Sequence, residues 1–290
     1  MGERPDQVSD GGLPVLDVRP AAEFERRHLV EAVNIPLEEL AQRIHELPEK
    51  GERLAIFEVN EERARSAEAM LRLRGRTLIQ VRCGAAFLES RPTASGPSGA
   101  RLWQPHRLLV QAVEYAAGAW GSVQGRRAVD IACGSGRDAV YLAMAGFEVD
   151  AWDVLPDAVA LCRDLAGRSG VRVAASVRDL RVPPREASDA YDLVSCFYFL
   201  HRPLVSDLKA MVRAGGLLVY ETFVEPQREL HGRPRCASRI LRQGELRSWF
   251  SDWEVVAHSE GRVAPGRQAA SIIARRKGGE IGYGSFPLLL

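Results

Sequence analysis

One junction constrains this chain more than any other: Ala128-Val-Asp-Ile-Ala-Cys-Gly-Ser-Gly-Arg-Asp138. An apolar run carrying a single acid, Asp130, ends in Gly134-Ser135-Gly136, and a helical pattern starts at once. Glycines there let the backbone turn sharply and approach a ligand closely, while the helix start behind them presents unpaired N–H groups. Strand, glycine turn and helix in this order predict an α/β sheet that binds its ligand at the carboxyl ends of its strands.

The alternation continues on both sides. Apolar runs at 128–133, 147–154, 171–177, 191–198 and 216–223 are separated by helical patterns at 137–145, 156–167 and 203–213. A helix over 101–117 precedes them, with Leu108, Leu109, Ala112, Val113 and Ala116 on one side. A last helix, 243–250, leads to runs at 253–258 and 269–275, whose short connection predicts an antiparallel pair. The expected fold is a doubly wound, Rossmann-like sheet of seven strands with an antiparallel hairpin at one edge. Upstream, 13–18, 53–59 and 77–81 read as strands and 37–44 and 65–73 as helices, a small parallel α/β domain. The Pro-, Gly- and Ser-rich stretch 91–100 reads as a linker. The division is therefore a first domain at 12–90, a linker at 91–100, a second domain at 101–276 and a flexible tail at 277–290.

A net charge of +1 over 290 residues argues against a broad electrostatic grip on nucleic acid. No apolar run is long enough to span a bilayer, and the polar start, Met1 to Asp6, does not read as a signal peptide. The five cysteines are scattered and odd in number, with no C-x-x-C pair or His–Cys cluster to hold a metal. The expectation is a reduced, cytoplasmic protein without a metal site or membrane partner.

Gly134-Ser-Gly-Arg-Asp-Ala139 also fits the dinucleotide pattern G-x-G-x-x-G/A, so NAD or NADP, or a purely structural turn, stays open from the glycines alone. Three acids tilt the reading. Asp130 lies inside the first strand, where an anion beside pyrophosphate is unfavourable and a cationic ligand is welcome. Asp153 ends the next strand, where a carboxylate accepts two ribose hydroxyls. Asp179, followed by Leu180, closes the third strand, where a side chain can meet an adenine amino group.

Residues 101–276 resemble class I S-adenosylmethionine-dependent methyltransferases. Gly134-Ser-Gly-Arg-Asp-Ala-Val-Tyr-Leu-Ala, with Gly146-Phe-Glu-Val-Asp-Ala-Trp-Asp153, is most similar to the tellurite-resistance (TehB-like) branch. The resemblance implies S-adenosylmethionine as cofactor and an antiparallel last strand. It places Asp130, Gly134, Ser135 and Gly136 at the methionine end and Asp153 and Val154 at the ribose. Asp179 and Leu180 would frame the adenine, with Cys196 and Phe197 beneath the sulfonium.

Acceptor-side candidates follow the fourth and fifth strands. Amino-methylating relatives carry Asn- or Asp-Pro-Pro-aromatic where this chain has Cys196-Phe-Tyr-Phe199, which argues against methylation of an adenine or glutamine nitrogen. Tyr198, His201 and Arg202 stand next to that site, although His201 and Arg202 equally fit a solvated strand end. Residues 227–239 read as a long irregular loop with Arg228, Arg233, Arg235 and Arg239, either a cationic lid or a solvated loop. Methyl transfer from a sulfonium depends mainly on alignment, so no catalytic base is assigned.

Upstream, Leu16-Asp-Val-Arg-Pro-Ala-Ala-Glu-Phe24, Arg27-His-Leu-Val-Glu-Ala-Val-Asn-Ile-Pro36 and Val81-Arg-Cys-Gly-Ala-Ala-Phe87 resemble rhodanese-like sulfurtransferases. That family's active loop reads Cys-x-x-Gly-x-Arg-Ser. Arg65-Ser66 matches its end, which puts Asn60 at the nucleophile and Arg63 at the glycine. An asparagine amide cannot carry a persulfide, so the domain is expected to be catalytically inactive. Together the readings give a methyltransferase for a small-molecule acceptor, with chalcogens and thiols the suggested class. RNA or protein methylation with the rhodanese-like domain as docking module, and a non-catalytic cofactor-binding scaffold, are the alternatives.

Overall fold

The computed structural model describes residues 13–182 and 188–278, so nearly all of the expected tail lies outside the described residues. Contacts divide the chain after Gln104 into two compact units.

The first unit runs β1 (Val15–Asp17), α1 (Ala21–Arg26), β2 (His28–Leu29), β3 (Val33–Asn34), β4 (Leu54–Glu58), α2 (Glu61–Leu73), β5 (Ile79–Cys83), α3 (Ala85–Glu89) and β6 (Thr93–Ala94). Its sheet has the order β3-β1-β4-β5, all parallel. Central β4 is buried at every position, as a parallel strand covered on both faces must be. Two expectations change. Residues 37–43 form successive turns, followed by a 3-10 turn at Ile44–Glu46, instead of a helix. Most of their bonds are of the i→i+3 kind, such as Glu39 N–H to Pro36 O and Leu40 N–H to Leu37 O, with a single i→i+4 bond from Arg43 N–H to Glu39 O, and Ala41 is exposed. Spacing alone does not separate stacked turns from a helix here. Within the proposed linker, Thr93–Ala94 pairs antiparallel with β2 and so belongs to the first unit.

The second unit runs α4 (Arg107–Trp120), β7 (Arg127–Ile131), α5 (Arg137–Ala145), β8 (Glu148–Asp153), α6 (Pro156–Arg168), β9 (Val173–Val177), β10 (Tyr191–Phe197), α7 (Val205–Met211), β11 (Val212–Phe223), α8 (Glu225–His231), α9 (Glu245–Trp249), β12 (Glu254–Ala264) and β13 (Arg267–Arg275). Helix α5 matches the sequence reading residue for residue. Helix α4 starts six residues later than expected, because Pro105 precedes it and His106 caps it. The presumed irregular loop opens with α8, ended by Gly232 in the left-handed conformation.

The seven strands have the order β12-β13-β11-β10-β7-β8-β9. All neighbours are parallel except at β13, which runs antiparallel to both β11 and β12. This is the seven-stranded sheet expected from the methyltransferase resemblance, with its antiparallel last strand. Side chains alternate across β7. Val129 and Ile131 pack with Leu208, Met211, Leu246 and Phe250 on one face, whereas Ala128 packs with Leu109, Ala139, Leu142 and Val159 on the other. Asp130 shares the face of Ala128 by the two-residue period and so lies under α5. Among the described residues, no helix is long and apolar enough to cross a membrane.

Candidate active site

The connection from β7 to α5 is left-handed at three positions: Ala132 (φ 58°), Gly134 (φ 54°) and Gly136 (φ 82°). At Gly136 a side chain is also excluded by packing, since a Cβ would lie 2.3 Å from Cys162 Sγ and 2.8 Å from its Cα. A Cβ at Gly134 would meet nothing within 4 Å, so the space beside that glycine is open. The fold thus needs Gly136 for packing and Gly134 for its backbone conformation alone.

Asp130 stands in register with Ser195 of β10, whose hydroxyl donates to Asp130 Oδ1 at 3.0 Å. Asp130 Oδ2 is buried and takes no hydrogen bond. Burial, reinforced by the nearby Asp138 carboxylate, pushes its pKa well above the ordinary carboxylate range against the opposing bonds from the Ser195 hydroxyl and the Ala139 N–H. A buried acceptor left unpartnered is costly and marks a place for a donor or cation from outside.

Asp153 holds the turn from the other side. Its Oδ2 accepts the Gly134 N–H and its Oδ1 the Leu155 N–H, both at 2.9 Å. Each oxygen keeps one further acceptor position, enough for two hydroxyls. Asp138 accepts the His106 backbone N–H at 2.6 Å, tying the start of α4 to the start of α5.

The other sequence candidates are placed differently. Asp179 folds back on Arg181, accepting Nε at 2.9 Å and Nη2 at 2.7 Å, which holds its pKa down at about 2. Leu180 is buried beside Trp152 in the core, while Val154 is half exposed. Cys196 is fully buried, and burial with the charge of Asp130 pushes its thiol pKa up, so it is no thiolate. Phe197 stacks on the His106 ring at 3.9 Å. Arg202 binds Glu245 Oε1 at 2.5 Å and the carbonyls of Ser238 and Ile240 at 2.9 Å, pinning the segment that follows α8. His201 is half-buried. Arg233 is exposed, as are Arg228, Arg235 and Arg239.

Sequence reasoning did not assign Glu221, which centres a polar cluster where β10 and β11 end. Its Oε1 accepts the Tyr198 hydroxyl at 2.6 Å and lies 3.1 Å from His106 Nε2. Arg267 Nη1 donates to the Tyr198 oxygen at 3.3 Å. Burial raises the Glu221 pKa, but the bonds from His106 and Tyr198 and the charge of Arg267 outweigh it and hold the carboxyl below its usual range. The signal was available: an acid inside an apolar strand, as at Asp130.

A seven-stranded sheet of this order, with acids at the carboxyl ends of β7 and β8 around a glycine turn, defines the class I methyltransferase fold. The chain belongs to the tellurite resistance protein TehB family, whose model matches residues 111–265. The first unit is a rhodanese-like domain, matched over residues 4–84. An uncharacterized protein of Schizosaccharomyces pombe, UNK4.09, is 24% identical over 306 residues, spanning 88% of both chains. The probable S-adenosyl-L-methionine-dependent methyltransferase TehB of Haemophilus influenzae is 22% identical over 143 residues, 46% of this chain and 48% of that protein. Here the match spans only about half the length of that relative. The crystal structure of H. influenzae TehB covers 58% of this chain and 62% of its own, at 19% identity and a TM-score of 0.48.

Proposed function

We propose that this chain is a methyltransferase that uses S-adenosylmethionine to methylate a small molecule, with a thiol or chalcogen as the acceptor class. The observation that carries the reading is the buried, unpartnered Asp130 Oδ2 under a glycine turn that Asp153 holds open. A ligand with a cationic end and a ribose fits this pair, whereas pyrophosphate would add charge beside Asp130.

Asp130, Gly134, Ser135 and Gly136 would hold the methionine end, Asp153 and Val154 the ribose, and Leu180 the adenine. Cys196 and Phe197 would underlie the sulfonium. Asp179, committed to Arg181, would serve only as the edge of the adenine site. When bound, S-adenosylmethionine supplies a methyl group already activated by its positive sulfur, so the protein's work is alignment. A cation seated there would favour the ionised form of Asp130. His106 and Phe197 form a stacked wall beside the strand ends, and Asp138 fixes that wall to α5.

The test is transfer of labelled methyl from S-adenosylmethionine across thiols, selenite, tellurite, RNA and protein. Label on a small molecule supports the reading. Label on RNA or protein alone moves it to a macromolecular acceptor, and no label on any of them contradicts it.

A further inference from the structure

The cluster on Glu221 has a free valence. Glu221 Oε1 is engaged by two donors, Tyr198 and His106, whereas Oε2 takes no hydrogen bond from a described residue. His106 is not a free base. Its Nδ1 accepts the Leu108 N–H at 3.2 Å, so the ring proton sits on Nε2 and points to Glu221. Burial, and then the adjoining Glu221, push the Tyr198 pKa up, so its hydroxyl stays a donor.

The backbone adds an independent sign. Tyr198 holds a φ of +54°, a left-handed conformation that is strained for a residue with a side chain. It is kept there by its N–H on the Glu221 carbonyl at 2.8 Å, by its hydroxyl on the Glu221 carboxylate, and by stacking on Phe223 at 4.9 Å. Strain maintained by several contacts at once clusters at functional sites. Glu221 stands in register with Phe197, and β10 lies between β11 and the strand that carries Asp130.

We infer that Glu221 Oε2 is the docking atom for the methyl acceptor, and that the acceptor presents a hydrogen-bond donor, best a primary ammonium, beside its nucleophilic atom. This rests on the methyltransferase reading. It makes Glu221 a specificity-determining residue: a charge-assisted bond draws in a donor-bearing acceptor, and an anionic one is disfavoured. Arg267 faces the same cluster across Tyr198 and moderates the field without cancelling the preference.

Two probes that share a thiol and a two-carbon arm test it: cysteamine and 2-mercaptoethanesulfonate. Each is titrated into the full chain, free and saturated with S-adenosylhomocysteine, and followed by the ring resonances of His106. Cysteamine is expected to bind roughly tenfold more tightly. Glu221→Gln is expected to erase the preference and leave S-adenosylmethionine affinity within about twofold. Tyr198→Phe keeps the carboxylate and the preference. Equal affinities, a preference for the sulfonate, no cysteamine binding by the wild type, or a preference that survives Glu221→Gln overturns the inference. The wild-type comparison decides alone if Glu221→Gln does not fold. Absence of S-adenosylmethionine binding would overturn the methyltransferase reading instead, with the charge preference still readable on the free protein.

Discussion

Glu58 Oε1 accepts the backbone N–H of Asn60 at 3.2 Å, and that of Val59 at 2.7 Å. The turn where a rhodanese nucleophile would stand is therefore closed over this chain's own carboxylate. Asn60 Oδ1 takes the Arg63 N–H at 3.1 Å as helix cap, and Arg63 bridges Glu58 and Glu38 from the glycine position. Two backbone donors at the head of that turn, those of Val59 and Asn60, are thus taken by Glu58.

Asn60→Cys alone is thus expected to give no thiosulfate:cyanide sulfur transfer above background, because a persulfide would add a second anion beside Glu58. Any transfer should require Glu58→Gln as well. Transfer by the single variant would show that the carboxylate does not block the site.

Asp130 is expected to oppose stability and support binding. Its folded-state pKa is raised, so its contribution to stability is present below the unfolded carboxylate value and is lost as pH rises through the folded one. Asp130→Asn keeps an acceptor for Ser195 and removes the buried charge. Thermal unfolding near neutral pH should show a variant at least as stable as the wild type, with S-adenosylmethionine affinity weakened by about 1–3 kcal/mol. A destabilised variant with unchanged affinity would make Asp130 structural.

The same raised pKa gives binding a pH dependence. A cationic ligand favours ionised Asp130, so binding releases a proton. Affinity for S-adenosylmethionine should strengthen as pH rises through the Asp130 pKa and level off above it. Calorimetry in two buffers of different ionisation enthalpy reads the released proton directly, and an affinity that falls over this range would contradict the assignment.

The two glycines of the turn should separate folding from binding. Gly136→Ala meets both the left-handed backbone and Cys162, so a loss of about 2–4 kcal/mol in unfolding free energy is expected. Gly134→Ala meets only the backbone term, about 1–2 kcal/mol, with open space around the new methyl. Chemical denaturation ranks the two, and equal losses would contradict the packing role of Gly136.

What the sequence disclosed follows from local physics. Helix α5 was legible because a glycine turn starts it, Gly146 stops it and its apolar period is regular. Asp130 and Asp153 stood out as acids at the ends of apolar runs. Residues 37–44 misled because turns and a helix place apolar groups at similar spacing. The commitments of Asp179 to Arg181 and Arg202 to Glu245 were invisible, since which partner a charged side chain selects is a three-dimensional fact. Glu221 was passed over because His106 and Tyr198, 115 and 23 residues away in sequence, give it its setting.

Isothermal titration of S-adenosylmethionine and NAD into the wild-type chain and Asp153→Ala shows whether the Asp130–Gly134–Asp153 turn binds S-adenosylmethionine. Saturable binding of S-adenosylmethionine, none of NAD, and a loss of about 1–3 kcal/mol in the variant are expected. Binding of NAD alone, or an affinity for S-adenosylmethionine unchanged by Asp153→Ala, would contradict that assignment.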